Sequence, residues 1–133
     1  MVHLVAVAVL TGVGWVVQAV VYPAFRLVGA DGWARYHARH ERAITLVVAV
    51  PWLAQGVSTA ALLFAPAAGG RAAAVVLAVL ALVTVGATVG VAVPAHGRLA
   101  RSVGARDLAV LLRANLVRTL AWTAATALAA VLV

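Results

Sequence analysis

Apolar residues fall in four long runs along the chain, and short polar stretches separate these runs. The runs cover residues 2–22, 43–65, 72–93 and 107–133. As a helix that rises about 1.5 Å per residue, each run can cross the ~30 Å hydrocarbon core of a bilayer. A spanning segment must satisfy its backbone hydrogen bonds internally, which favours helices. The pattern therefore predicts an all-α fold, an integral membrane four-helix bundle that forms a single transmembrane domain over residues 1–133.

The first polar connection contains a second pattern, which predicts a short interfacial amphipathic helix before the second span. Trp33, His37 and His40 recur on one helical face, and arginines occupy the other side. A helix of this kind lies in the membrane interface or runs straight into the span that follows it. Asp31, in the turn before it, is a candidate N-cap.

Prolines and glycines refine the predicted spans. Pro23 and Pro94 are predicted to end the first and third spans, and Pro51 is predicted to kink the second. Gly86 and Gly90 form a GxxxG-type face that suits close helix packing. The third span is therefore expected to approach a neighbouring helix closely.

Composition supports the bilayer as the solvent for most of this chain. Hydrophobic residues make up 66% and charged residues 10%, well above the apolar share of a soluble domain. Cysteine is absent, which excludes a disulfide framework, a thiolate nucleophile and a cysteine-ligated metal. The first run is long enough to span and has no basic region before it, so we expect no cleaved secretory signal.

The basic charge is distributed unevenly among the connections. The chain has a net charge of +7, and all ten basic residues are arginines. Nine of them lie in or beside the first and third connections, and Arg71 lies in the second. The positive-inside rule then predicts a multi-pass protein of the cytoplasmic membrane with both termini extracytoplasmic. Nucleic acid is not an expected partner, because no basic soluble domain or tail is present.

Polar side chains in or beside the spans are predicted to meet in one layer near the cytoplasmic end. Such groups are costly in hydrocarbon and usually functional. Helix geometry puts Arg118 roughly a quarter of the way in from the cytoplasmic face. The outer half is expected to hold almost no polar groups, and His3 there is taken as incidental, so a pocket should open inward. The layer comprises Gln18, Tyr22, His37, His40, Glu41, His96, Asn115, Arg118 and Trp122, with Gln55 near mid-membrane.

The chemistry of these side chains predicts a site for acid/base work. Glu41 beside a histidine would act as a general base, and Arg118 would clamp a carboxylate, phenolate or enolate. The structural alternative is that Arg118 pairs with Glu41 and only holds the layer together. The predicted catalytic residues are His37, His40, Glu41, His96 and Arg118. The predicted substrate-binding residues are Gln18, Tyr22, Gln55, Asn115 and Trp122.

No cofactor is expected, although the histidines of the layer make a metal ion a candidate. His37, His40 and His96, with Glu41 or water, would suit zinc, copper or non-haem iron. The alternative is interfacial histidines that bond loop carbonyls or lipid headgroups. A haem held by His40 and His96 is disfavoured, because the chain has few aromatic residues to enclose it.

Four motifs carry a resemblance to a known family. They are WVVQAVVYPAF, WARYHARHERAI, VPAHGRL and NLVRTLAW, in this order. Placed on four spans, they resemble a family of small four-helix actinobacterial integral membrane proteins, and more distantly the anthrone-oxygenase-like superfamily. The resemblance implies cofactor-independent oxygenation of an activated phenolic carbon acid, with a base and an apolar pocket for O₂. By matching motifs, the candidate residues would be His37, His40, His96, Asn115 and Arg118.

We favour a membrane enzyme that acts on a lipophilic small molecule by oxygenase-, isomerase- or cyclase-type acid/base chemistry. The oxygenase form would be an oxidoreductase of small-molecule biosynthesis. A non-catalytic subunit or lipid-binding scaffold is the alternative. A small transporter is less favoured, since four spans would have to oligomerise and no polar path crosses the outer half. The expected partners are the lipid bilayer, the small molecule and, as a candidate, further copies of the chain.

Overall fold

A computed structural model gives the architecture of this chain as four long helices. The residues that the structure describes are 1–66, 70–102 and 104–132. The helices are α1 (Val2–Leu27), α2 (Ala30–Phe64), α3 (Gly70–Leu99) and α4 (Ala105–Val131). All four are long and apolar enough to cross a membrane, and no strand occurs among the described residues. The predicted all-α four-helix bundle is confirmed.

The helices form an up-and-down bundle in which each one packs against its neighbours in sequence. α1 also packs against α4, which closes the bundle. Both chain termini and the α2–α3 connection therefore lie at one end, called the terminal end below. The α1–α2 and α3–α4 connections lie at the other, called the basic end because it carries most of the arginines.

The prediction that Pro23 and Pro94 end the first and third spans is wrong. α1 continues past Pro23 and α3 continues past Pro94. A π-helical turn precedes each proline, at Val17–Val21 and at Gly86–Ala92. Each proline then falls in the first turn of the α-helical segment that follows. In that position its missing N–H and fixed φ are tolerated, so the helix continues toward the basic end.

The amphipathic segment is the first part of α2 and continues directly into the span. The helix begins after Gly29, so Asp31 lies in its first turn and is not its N-cap. Trp33 is buried, and its indole N–H donates to the Leu99 carbonyl at 2.6 Å. This bond joins the start of α2 to the end of α3. α2 also remains helical through Pro51.

Close helix packing occurs at a glycine other than the predicted pair. A Cβ atom at Gly86 or Gly90 would meet no described atom within 4 Å, so the GxxxG face mediates no close contact within this bundle. A Cβ atom at Gly14, in contrast, would lie 2.6 Å from Oγ1 of Thr119. Gly14 therefore allows α1 and α4 to approach each other closely.

The terminal half of the bundle holds more polar contacts than predicted. Nδ1 of His3 lies 3.0 Å from the Ser58 hydroxyl, and the Thr11 and Thr126 hydroxyls lie 2.9 Å apart. The expectation of almost no polar groups there is wrong. These residues bear little charge and are scattered over three helices, and hydroxyls such as that of Ser58 also bond their own backbone.

Candidate functional site

A polar face of α4 anchors the site at mid-helix. Asn115, Arg118 and Trp122 share this face, and Asn115 is fully buried. Arg118 lies thirteen residues from Ala105 and thirteen from Val131. It is therefore midway along α4. Its depth of roughly a quarter of the bilayer from the cytoplasmic face stays a prediction.

Asn115 connects α4 to α1 and also fixes Arg118. Its side-chain NH₂ donates to the Gly14 carbonyl at 3.1 Å and to Oε1 of Gln18 at 2.7 Å. Its Oδ1 accepts from Nε and Nη2 of Arg118, at 3.0 and 2.9 Å. Both ends of the amide are thus engaged, and the guanidinium is held in one orientation.

Tyr22 continues the hydrogen bonding from Arg118 to His96. Nη2 of Arg118 donates to the Tyr22 hydroxyl at 3.3 Å. The same hydroxyl lies 3.2 Å from Nε2 of His96. Because a guanidinium can only donate, the Tyr22 oxygen accepts from Arg118 and directs its own hydrogen at His96.

Two histidines extend these contacts to a carboxylate. Nδ1 of His96 lies 3.1 Å from Nε2 of His37, and Nδ1 of His37 lies 3.5 Å from Oε2 of Glu41. If Nε2 of neutral His96 accepts from Tyr22, its hydrogen is on Nδ1 and is donated to His37. Neutral His37 then carries its hydrogen on Nδ1, directed at Glu41. One set of tautomers therefore satisfies every contact.

We call this series the polar chain. It runs from a fully buried amide to a carboxylate whose side chain is 41% exposed. Glu41 contacts the two histidines, whereas Arg118 bonds Asn115 and Tyr22, so the ion pair considered as the structural alternative does not form among the described residues. The members of the polar chain are Asn115, Arg118, Tyr22, His96, His37 and Glu41.

His40 lies beside the polar chain but forms no hydrogen bond with it. Its ring packs edge-on against Phe25, with centroids 5.0 Å apart. Its Nε2 atom is buried and has no hydrogen-bond partner in the described part of the chain. His40 therefore contributes aromatic packing, and the predicted grouping of it with the other two histidines as ligands does not occur.

A different group of residues has the geometry of a metal site. Donor atoms of His37, Glu41 and His96 all lie within 4.8 Å of one another. Two imidazoles and one carboxylate would suit zinc or non-haem iron. The two histidines are already hydrogen-bonded to each other, Glu41 lies within ion-pair distance of both, and the arginines of the basic end disfavour a divalent cation. A bound metal stays a prediction.

Gln55 and Trp122 form a second polar contact toward the terminal end. The Trp122 indole N–H donates to Oε1 of Gln55 at 3.0 Å. The guanidinium carbon of Arg118 lies 5.8 Å from the centre of the Trp122 ring, within cation–π range. The Trp122 ring therefore connects the Gln55 contact between α2 and α4 to Arg118 of the polar chain.

A small cavity of about 50 Å³ lies beside Arg118. Its walls come mainly from apolar side chains of α1 and α2, among them Trp52, and Trp122 of α4 also lines it. Such a volume holds a few water molecules or a diatomic gas. Asn115 and Arg118 also line it, which makes Arg118 the charged member of the polar chain that reaches the cavity.

The residues predicted for the polar layer are therefore largely brought together. Gln18 and Tyr22 of α1, His37 and Glu41 of α2, His96 of α3 and the α4 residues all lie in contact. The Gly14 carbonyl, which accepts from Asn115, is a member of this layer that was not predicted from the sequence. Its signal was a small residue one turn before Gln18, on the same face of α1.

These features define an all-α, multi-pass membrane protein whose helices share one buried polar chain. Comparisons with protein-family models, with curated proteins and with solved structures found no match. The resemblance to the four-helix actinobacterial family and to anthrone oxygenases therefore stays a prediction.

Proposed function

We propose that this protein is a membrane-embedded enzyme that performs acid/base chemistry on a lipophilic small molecule. The observation that supports it is the polar chain, which links a cavity inside the bundle to a partly exposed carboxylate at the basic end. A series of matched donors and acceptors can carry a proton out of a site that excludes water.

In this proposal Arg118 contacts the substrate. It is the charged side chain among the described residues that line the cavity, and it would hold the oxygen of a developing enolate or phenolate. Because about 50 Å³ does not hold a whole substrate, the helices around the cavity would have to move apart on binding. The α-carbon of a molecule held in this way would lie close to Tyr22, whose hydroxyl is 3.3 Å from the guanidinium.

Proton transfer would follow the direction of the hydrogen bonds. The Tyr22 proton passes to Nε2 of His96, the Nδ1 proton of His96 passes to His37, and the Nδ1 proton of His37 passes to Glu41. The Tyr22 phenolate, stabilised by Arg118, then takes the proton from the substrate carbon. The net result is one proton moved from substrate to Glu41, on the side that the arginine distribution assigns to the cytoplasm.

Oxygenation, isomerisation and cyclisation can all begin with this same carbanion, so all three fall within the proposal. An oxygenase would in addition need space for O₂ near the carbanion, and the cavity of about 50 Å³ is large enough for it. No cofactor takes part in the proton transfer.

Deuterium uptake into lipophilic carbon acids tests the proposal without knowledge of the natural reaction. The purified protein in detergent would be mixed with anthrone or a long-chain 1,3-diketone in D₂O, and C–D formation followed by mass spectrometry. We expect faster exchange than in protein-free micelles, and a loss of roughly 10²-fold or more in Arg118→Gln or Tyr22→Phe. Arg113→Gln, an exposed arginine on the same helix, is the matched control. No acceleration with either carbon acid would refute the proposal.

A non-catalytic scaffold is the second candidate, favoured by the interhelical contacts of Asn115. This side chain joins α1 to α4, and the adjacent cavity is small. A purely structural layer predicts that Arg118→Gln and Tyr22→Phe lower the melting temperature and that wild type accelerates no exchange. The same samples therefore separate the two functions.

A further inference from the structure

We propose that the cavity beside Arg118 binds a small monovalent anion of the chloride type, which serves as the counterion of the guanidinium. The inference goes beyond the proposed function, because it holds whether or not the protein is an enzyme. It assigns an inorganic ligand to a place in the bundle where the proposed function puts only the oxygen of a substrate.

Arg118 carries a charge that no acidic side chain balances. The sequence has three acidic residues, and in the described part of the chain none of them lies within ion-pair distance of Arg118. Glu41 contacts histidines instead. The hydrogen-bond partners of the guanidinium are the amide of Asn115 and the phenol of Tyr22. Both partners are neutral, so they orient the positive charge without compensating it.

The position of Arg118 keeps this charge away from the counterions of the membrane surface. It lies thirteen residues from either end of α4, which corresponds to about 20 Å of helix. Lipid phosphates lie at the membrane surface, and three hydrogen bonds hold the guanidinium inside the bundle. An uncompensated charge in such surroundings is costly, and charged groups within spans are usually paired. A bound anion would remove that cost.

One nitrogen of the guanidinium is available to such an anion. Nε and Nη2 donate to Asn115 and Tyr22, whereas Nη1 bonds no described residue. The surrounding side chains do not close Nη1 off either, so it keeps surface that a ligand of the size of water can reach. A ligand in the cavity that Arg118 lines can therefore accept a charge-assisted hydrogen bond from Nη1.

The size and the walls of the cavity select the class of anion. About 50 Å³ is available, and a water molecule occupies about 30 Å³ in the liquid. A halide is little larger than water, whereas a lipid headgroup or a whole organic acid does not fit. The walls are mainly apolar, so the anion must give up most of its hydration. That loss costs least for monovalent halides and most for a divalent ion such as sulfate.

Quenching of tryptophan fluorescence by iodide tests the proposal. Trp52 and Trp122 line the cavity, and a heavy anion quenches an indole that it touches. The full chain, purified in an uncharged detergent with sodium gluconate, would be titrated with sodium iodide at constant ionic strength. We expect a saturable component with half-saturation at about 10 mM or below, in addition to the linear quenching of exposed indoles. Chloride should displace this component, and sulfate should not.

Three variants and a control locate the anion. Arg118→Gln removes the charge and should weaken the saturable component at least about tenfold, and Arg118→Lys should retain part of it. Val48→Phe fills the cavity from α2 and should abolish the component while the charge stays in place. Arg113→Gln, which removes an exposed arginine of the same helix, is the matched control and should leave the component unchanged. Melting curves without iodide show which variants fold.

Purely linear quenching of the folded wild-type protein would overturn the proposal. A saturable component that is unchanged in folded Arg118→Gln or in folded Val48→Phe would overturn it as well, because the anion would then lie elsewhere. Chloride that fails to displace iodide would exclude chloride as the ligand.

Tyr22→Phe separates the anion site from the proposed function. The phenol bonds Nη2 and not Nη1, so this variant should retain iodide binding while it loses deuterium exchange. If iodide binds but no carbon acid exchanges deuterium, the anion site stands and the proposed function fails. Deuterium exchange that depends on Arg118, without saturable quenching, would retain the enzyme and reject the anion site.

Discussion

The contact between Gly14 and Thr119 makes the Gly14→Ala variant a sharp test of the packing of α1 against α4. The new methyl group would lie 2.6 Å from Oγ1, 3.2 Å from Cγ2 and 3.3 Å from Cβ of Thr119. Carbon and oxygen atoms that are not bonded do not approach to 2.6 Å, so one of the two helices or the threonine must move. Thr119 is fully buried, and a β-branched side chain in a helix has few alternative rotamers.

The expected cost follows from overpacking in a close-packed interior. Such insertions cost about 1–3 kcal/mol, partly offset by the gain of up to about 1 kcal/mol when alanine replaces glycine in a helix. With the full offset the net cost is about 0–2 kcal/mol, so at roughly 4 °C per kcal/mol for a domain of this size the melting temperature should fall by up to about 8 °C. The same displacement moves the Gly14 carbonyl away from Asn115, which bonds it at 3.1 Å.

Thermal unfolding in detergent, followed by tryptophan fluorescence, measures this effect. Gly86→Ala is the matched control, because a methyl group there meets no described atom within 4 Å, and it should melt at or above the wild-type temperature. The double variant Gly14→Ala/Thr119→Ala removes the two closest contacts and should recover most of the loss beyond the cost of Thr119→Ala alone. Equal melting of Gly14→Ala and Gly86→Ala, or no recovery in the double variant, would refute the proposed close approach.

Three further predictions use other contacts of the bundle. Asn115→Leu leaves the Arg118 guanidinium without its buried acceptor and should lower the free energy of unfolding by about 2–4 kcal/mol in detergent. A change below about 0.5 kcal/mol would contradict this. Trp33→Phe removes the 2.6 Å hydrogen bond between α2 and α3 and should lower the free energy of unfolding by about 1 kcal/mol. Trp15→Phe is the control in the same melting experiments and should cost less, because the Trp15 indole is partly exposed. Glu41→Gln should leave the melting temperature nearly unchanged and slow deuterium uptake about tenfold, and unchanged uptake would exclude Glu41 as the proton acceptor.

Much of the polar chain could be predicted from the sequence, because depth and helical face follow directly from residue spacing. Asn115, Arg118 and Trp122 share one face at any packing angle, and a polar group in hydrocarbon must turn toward other helices. Gln18 and Tyr22 are predicted to reach this layer for the same physical reason. His40 also lies at this level, where its ring stacks on that of His96 with centroids 6.1 Å apart, but only His37 is hydrogen-bonded to His96 among the described residues.

The sequence by itself determined the four apolar helices and the end that carries the arginines, since bilayer thickness and backbone hydrogen bonding leave few alternatives. Only the tertiary structure decided which glycine lies at a helix crossing, that the helices continue past Pro23 and Pro94, and that the Gln55 oxygen accepts from the Trp122 indole. These features depend on the rotation of each helix about its axis. That rotation is set by side-chain packing between helices, and residue spacing along one helix does not contain it.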